Sequence, residues 1–148
     1  MADYCANTDL TKIRPKILSY GVSDWADQIA EATSIINRAI ETRWYRQACK
    51  EYEVDYREIP YDADLLLNAD TQLTRLGVYK TLQIAYTYLA KDSPTDDGFK
   101  MQAEYFQKEY AQELSEVLAQ GLDYDWDESG ALYYTEKRMP SMRRLQRV

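Results

Sequence analysis

Residues 23–45 read SDWADQIAEATSIINRAIETRWY. Apolar side chains return at Trp25, Ile29, Ala32, Ile36, Ala39 or Ile40, and again around Arg43–Trp44. Steps of three and four put these positions on one stripe of an α-helix. Ser23 and Asp24 stand just ahead of the stripe as N-caps. A helix with one apolar stripe is stable only against a partner, so the fold turns on what else in the chain offers the same period.

Two further stretches do. From about Asp70, or as early as Ala63, the chain spaces Leu73, Leu76, Tyr79, Leu82, Tyr86 and Leu89 at helical intervals. The run SPTDDG at 93–98 is a turn, with Pro94 closing one helix and Asp96 or Asp97 capping the next. The following helix places Phe99, Ala103, Phe106, Tyr110, Leu114 and Val117 on one face, and Gly121 supplies its C-terminal stop. Near the start, Asn7 or Thr8 caps a short helical turn that ends before Pro15. Three amphipathic helices with short links predict a mainly α fold, a small antiparallel helical bundle.

One segment breaks the period. Tyr52, Val54 and Tyr56 alternate with Glu53, Asp55 and Arg57, as in a strand, until Pro60 interrupts. Residues 50–67 are therefore expected to form a short β-ribbon or a loop protruding between helices. The expected organisation is a helical body over 1–121, then an acidic elbow and a basic, extended C-terminal tail over 122–148.

Composition narrows the function classes. The 148 residues are 45% hydrophobic and 13% aromatic, enough for one compact domain. The apolar runs fall short of the roughly 18 residues of a membrane helix, and the first 16 residues lack the pattern of a signal peptide. Two cysteines, Cys5 and Cys49, fit a reducing compartment with no disulfide. The chain has no histidine, which removes the usual general base and nearly all zinc sites. We therefore expect neither a catalytic residue nor a cofactor nor a metal. The net charge is −7, against a nucleic-acid-binding body, but it is unevenly spread. Residues 131–148 hold five basic groups and one acid, a balance of +4, and the preceding 130 residues carry −11.

Between body and tail lies DYDWDESG, Asp123–Gly130, whose alternate aspartates suggest a calcium loop. Glu128 stands where such a loop needs glycine, and Tyr134 where it needs a closing glutamate. An acidic aromatic elbow turning at Ser129–Gly130 explains the run better. A small binding module answering to calcium or a protein partner through residues 123–130 stays as the alternative. Other candidates have plainer readings. Tyr79, Tyr86 and Tyr88 suit core or subunit contacts, and Glu104, Glu109, Glu113 and Glu116 suit a solvated face. Cys49 has no activating neighbour in sequence. Arg143, Arg144 and Arg147 suit protein docking better than DNA phosphate, because Met142 and Leu145 interrupt them.

Taken together, YCANTDL, ADQIAEATSIINRAIETRWY, LTRLGVYKTLQIAYTYLAKD and FKMQAEYFQKEYAQELSEVLAQGLDYDWDESG resemble the head–tail connector (adaptor) family of tailed bacteriophages over nearly the whole chain. The resemblance implies a structural virion protein of the phage neck, made in the host cytoplasm. Such subunits assemble as a ring, usually of twelve, on the portal protein. The ring extends the DNA channel without binding DNA specifically, and it docks a downstream neck or tail protein. By the same resemblance the tail reaches the portal. The matching residues here are Leu132, Tyr133, Tyr134, Lys137, Arg138, Met139, Met142, Arg143, Arg144, Leu145 and Arg147. Aromatic and methionine side chains fill pockets and arginine pairs with carboxylates. A negative channel wall would let DNA slide.

Overall fold

The computed structural model describes residues 2–92 and 97–130, the side chains of 92 and 97 excepted. Its chain is mainly helical, as the three stripes predict. Helix α1 spans Asn7–Ile13, α2 Ala26–Ile40, α3 Arg46–Glu51, α4 Ala69–Gln72, α5 Thr74–Asp92 and α6 Asp97–Gln120. Helices α2 and α3 are one rod joined by a π turn at Glu41–Tyr45. That turn adds a residue to the stripe, so burial steps from Ile36 to Ile40, then to the adjacent pair Trp44 and Tyr45, then to Cys49.

Helix α5 is the shared partner of α2 and α6. It is buried on most of its circumference, including Gly77, Val78 and Thr81, as a central helix must be. Both neighbours run antiparallel to it. Near one end Tyr86 meets Phe99 and Phe106, while Leu73 and Leu76 share a cluster with Leu114 and Val117. Trp25, which precedes α2, lies 6.1 Å from Tyr88 near the close of α5. The N-terminal segment crosses α5 at Gly77, where an added Cβ would come within 3.1 Å of the Tyr4 Cβ.

The caps differ in detail from the expectation. Asn7 begins α1 rather than capping it, and its side-chain oxygen accepts the backbone N–H of Trp25 at 3.1 Å. Asp9 reaches back to the Ala6 amide at 2.9 Å, the second half of a capping box. The cap position of α2 is Trp25 rather than Ser23 or Asp24, and Asp24, one residue ahead, accepts the Ala26 amide at 3.0 Å. At the end of α6, Gly121 adopts φ +84° and donates to the Val117 carbonyl at 3.1 Å.

Residues 50–67 do not form the ribbon: 50–51 close α3, and Ala63–Leu65 are a 3₁₀ turn. Among the described residues there is no strand, only an isolated antiparallel bridge between Leu66 and Tyr124. The loop half of the expectation is what forms. Glu53 takes φ +57° and lets Val54 close the end of α3 on the Cys49 carbonyl at 2.9 Å. The Asp55 carboxylate then caps the Arg57 amide at 2.9 Å, and its carbonyl accepts the Ile59 amide at 2.9 Å. An aspartate that binds its own backbone pulls the chain into a turn, which defeats the two-residue alternation. Val54, Tyr56 and Tyr61 of the segment pack on the core, while residues 57–60 are exposed.

Candidate functional site

The sequence-predicted site has two parts, an elbow and a tail. The tail residues Leu132, Tyr133, Tyr134, Lys137, Arg138, Met139, Met142, Arg143, Arg144, Leu145 and Arg147 lie outside the described residues. The elbow is described, and it is part of the core. Leu122, Asp123, Tyr124 and Asp125 are all buried.

Backbone pairing holds it first. Leu67 donates its amide to the Asp123 carbonyl at 2.9 Å, and Asp125 donates to the Leu65 carbonyl at 2.9 Å. These two bonds draw residues 65–67 and 123–125 together as a one-bridge ribbon within the chain. Gln72 accepts the Asp123 amide at 3.1 Å, and Asn68 donates to the Asp123 carboxylate at 2.6 Å. A carboxylate buried this way needs such donors, because burial strips it of water.

Aromatic packing holds it next. The Trp126 indole stacks on Tyr52 at 4.4 Å and on Tyr45 at 5.7 Å, while Tyr124 meets Trp44 edge-on at 6.0 Å. Hydroxyls at the rim of this cluster find backbone partners. Tyr45 donates to the Ile59 carbonyl at 2.6 Å, and the Tyr124 oxygen accepts the Asp62 amide at 3.2 Å. Tyr4 pairs with Asn37, which also accepts from Tyr61 at 3.4 Å. Burial pushes the Tyr45, Tyr61 and Tyr124 phenols above their usual value. They are structural hydroxyls held neutral.

The last turn of the elbow is a carboxylate clip. Asp125 accepts the Ser129 amide at 3.1 Å on one oxygen and the Gly130 amide at 2.8 Å on the other. Asp127 accepts the Ser129 amide as well, at 3.1 Å. Glu128 at φ +56° and Gly130 at φ +80° make the tight turn that brings these amides round. Asp123 and Asp125 thus serve two different hydrogen-bond networks, and no trio of acidic or cysteine side chains in metal-holding geometry occurs among the described residues.

The remaining candidates fall into place around this. Tyr79 and Tyr86 pack on Phe106, and Tyr88 is exposed beside Trp25. Glu104 and Glu116 are exposed, Glu109 and Glu113 half-buried. Cys49 is fully buried, and burial pushes its thiol up, as it does that of Cys5. What sequence reasoning missed is that the elbow belongs to the core. Part of the signal was present: Leu122, Tyr124 and Trp126 alternate with three aspartates, an extended period that points to one buried side, although Asp123 and Asp125 are buried as well. Comparison with known proteins finds no matching family model, no matching curated protein and no matching solved structure.

Proposed function

We propose that this protein is a structural adaptor of the phage head–tail connector kind. It assembles as a ring on a portal protein, lengthens the DNA channel and offers the opposite face to a neck or tail protein. The reading assigns it no catalytic step and no cofactor. The observation that carries it is charge segregation: a body at −11 followed by an 18-residue tail at +4. The elbow between them, clipped by Asp125 and buried at Tyr124, supports the same reading, because a docking tail needs a firm origin. Ring repetition then multiplies modest single-tail contacts through avidity. The −11 body suits a channel wall that repels DNA.

Light scattering after size-exclusion chromatography tests the proposal. The intact chain and a chain ending at Gly130 are each run with and without a portal ring from the same genome. The expected result is that only the intact chain moves onto the portal, in many copies. Binding by both chains would assign the contact to the helical body instead of the arginines. Binding by neither would remove the adaptor reading.

A further inference from the structure

A groove of about 530 Å³ lies between the N-terminal segment and the turns that lead into α5. Leu66 and Leu67 are among its apolar lining residues, and among the described residues that line it the charged ones are Asp3, Asp9, Asp64 and Asp70, with no basic side chain. Asp9 is engaged by Lys12 at 3.5 Å, the one ion pair among the described residues. Asp3, Asp64 and Asp70 are exposed, and their charge is not neutralised by any described cation. The neighbouring groove shares Asp9 and Thr74 but carries Lys12 and Arg75 against its acids, so it is far less one-sided.

Carboxylates around an apolar lining suit a ligand that is both cationic and apolar. The chain contains one. In residues 131–148, Lys137, Arg138, Arg143, Arg144 and Arg147 interleave with Met139, Met142 and Leu145. Their point of departure is also close. The Gly130 amide is held by Asp125, whose own amide is bonded to the Leu65 carbonyl, and Asp64 and Leu66 on either side of Leu65 line the groove. Eighteen extended residues reach about 60 Å, so the span is no obstacle. A short tether gives an effective concentration on the order of millimolar.

We propose that the C-terminal tail docks in cis in this groove, with its arginines on Asp3, Asp64 and Asp70 and its methionine and leucine side chains on Leu66 and Leu67. The proposal stands apart from the portal reading. Where both hold, groove and portal compete for one tail, and docking on the portal releases the groove.

The test uses the full chain alone. A nitroxide is placed on Met142→Cys in a chain carrying Cys5→Ala, because Cys5 lines the groove; Cys49 is fully buried outside it. In the ¹⁵N-labelled chain, the amides of Asp3, Asp64 and Asp70 should broaden strongly, and equally so on dilution. The broadening should disappear in the D3N/D64N/D70N chain, whose remaining amide signals should keep their positions. It should also disappear on raising salt from about 0.1 M to about 1 M, which cuts the screening length from about 10 Å to about 3 Å. A mixture of nitroxide-free ¹⁵N chain with unlabelled nitroxide chain should show none. Broadening in that mixture would mean docking between copies and would overturn the cis proposal. Sharp groove signals in every sample, or broadening indifferent to the three aspartates, would overturn it as well. Neither result touches the portal experiment, which reads a different complex.

Discussion

At one end of the body Trp25, Leu82, Tyr86, Leu89 and Phe106 pack mainly as side chains of helices and their flanks, and the Trp25 indole donates to the Ile17 carbonyl at 3.1 Å. At the other end Trp44, Tyr45 and Leu114 meet Leu66, Leu122 and Tyr124, which come from chain without helical form. The same long helices pass through both regions. The helical end satisfies most of its backbone within helices, with Asn7 holding the Trp25 amide where the chain enters α2. The elbow end buries irregular backbone, so each amide and carbonyl there must find a named partner. Its tyrosines meet part of that demand: a ring for the core and a hydroxyl for the Ile59 carbonyl or the Asp62 amide. Apolar volume should therefore dominate stability at one end, and polar pairing at the other.

The largest test lies at the helical end. Phe106 is fully buried, stacked on Tyr86 at 6.0 Å and covered by the Arg14 guanidinium at 4.9 Å. Phe106→Ala should cost about 3–5 kcal/mol in denaturant unfolding, by lost burial and the cavity left behind. If the two ends unfold as one unit, tryptophan fluorescence and circular dichroism will give the same midpoint.

At the elbow end the equivalent change is one atom. Tyr45→Phe keeps the ring and removes the donor to Ile59, and should cost about 1–2 kcal/mol. It should also change the alkaline limb. The folded phenols of Tyr45, Tyr61 and Tyr124 are raised by burial, whereas in the unfolded chain they ionise near pH 10. Their contribution is therefore complete below about pH 10 and lost as pH climbs beyond it, because the unfolded chain gives up protons first. Phenolate absorbance should lag in the wild-type chain and then rise with unfolding. The Tyr45→Phe variant should show a shallower alkaline loss of stability. An unchanged slope would mean that Tyr45 takes no part in it.

The smallest effect joins the two regions. Gly77 lies at the first turn of α5 beneath Tyr4 and Cys5, which belong to the elbow and helical clusters respectively. Alanine there gains about 1 kcal/mol of helix propensity but must displace the Tyr4 backbone segment. We expect Gly77→Ala to be a net loss of under about 1 kcal/mol, read as a small drop in melting temperature. A gain would mean that the crossing segment yields freely.

The sequence was legible where burial follows a helical period. The stripes of α2, α5 and α6 and the Gly121 stop were all read from residue spacing, since each helix buries a face that repeats every three or four residues. The π turn was not, because Trp44 keeps the expected four-residue step from Ile40 and hides the extra residue that buries Tyr45 as well. Residues 52–56 alternate like a strand, but Asp55 spends its oxygens on its own backbone, and local pairing prevailed over the pattern. The elbow was misplaced for the opposite reason. Its three aspartates dominate the eye, while the burial of Leu122 and Tyr124 depends on aromatic groups some 70 to 80 residues away. Of the candidate site, the origin of the tail is now explained by residues 122–130, and the grip of its arginines belongs to the experiments above.

The Asp125 clip has a mechanical consequence. A pull applied beyond Gly130 does not arrive at the end of α6, where a helix would unwind turn by turn. It arrives first at two amides held on one carboxylate, then at the Leu65 and Leu67 bonds, then at the stacked rings of Tyr45, Tyr52 and Trp126. Tension on the tail is thus delivered to the most densely cross-braced part of the body. The chain would yield at its clip before its helices felt the load.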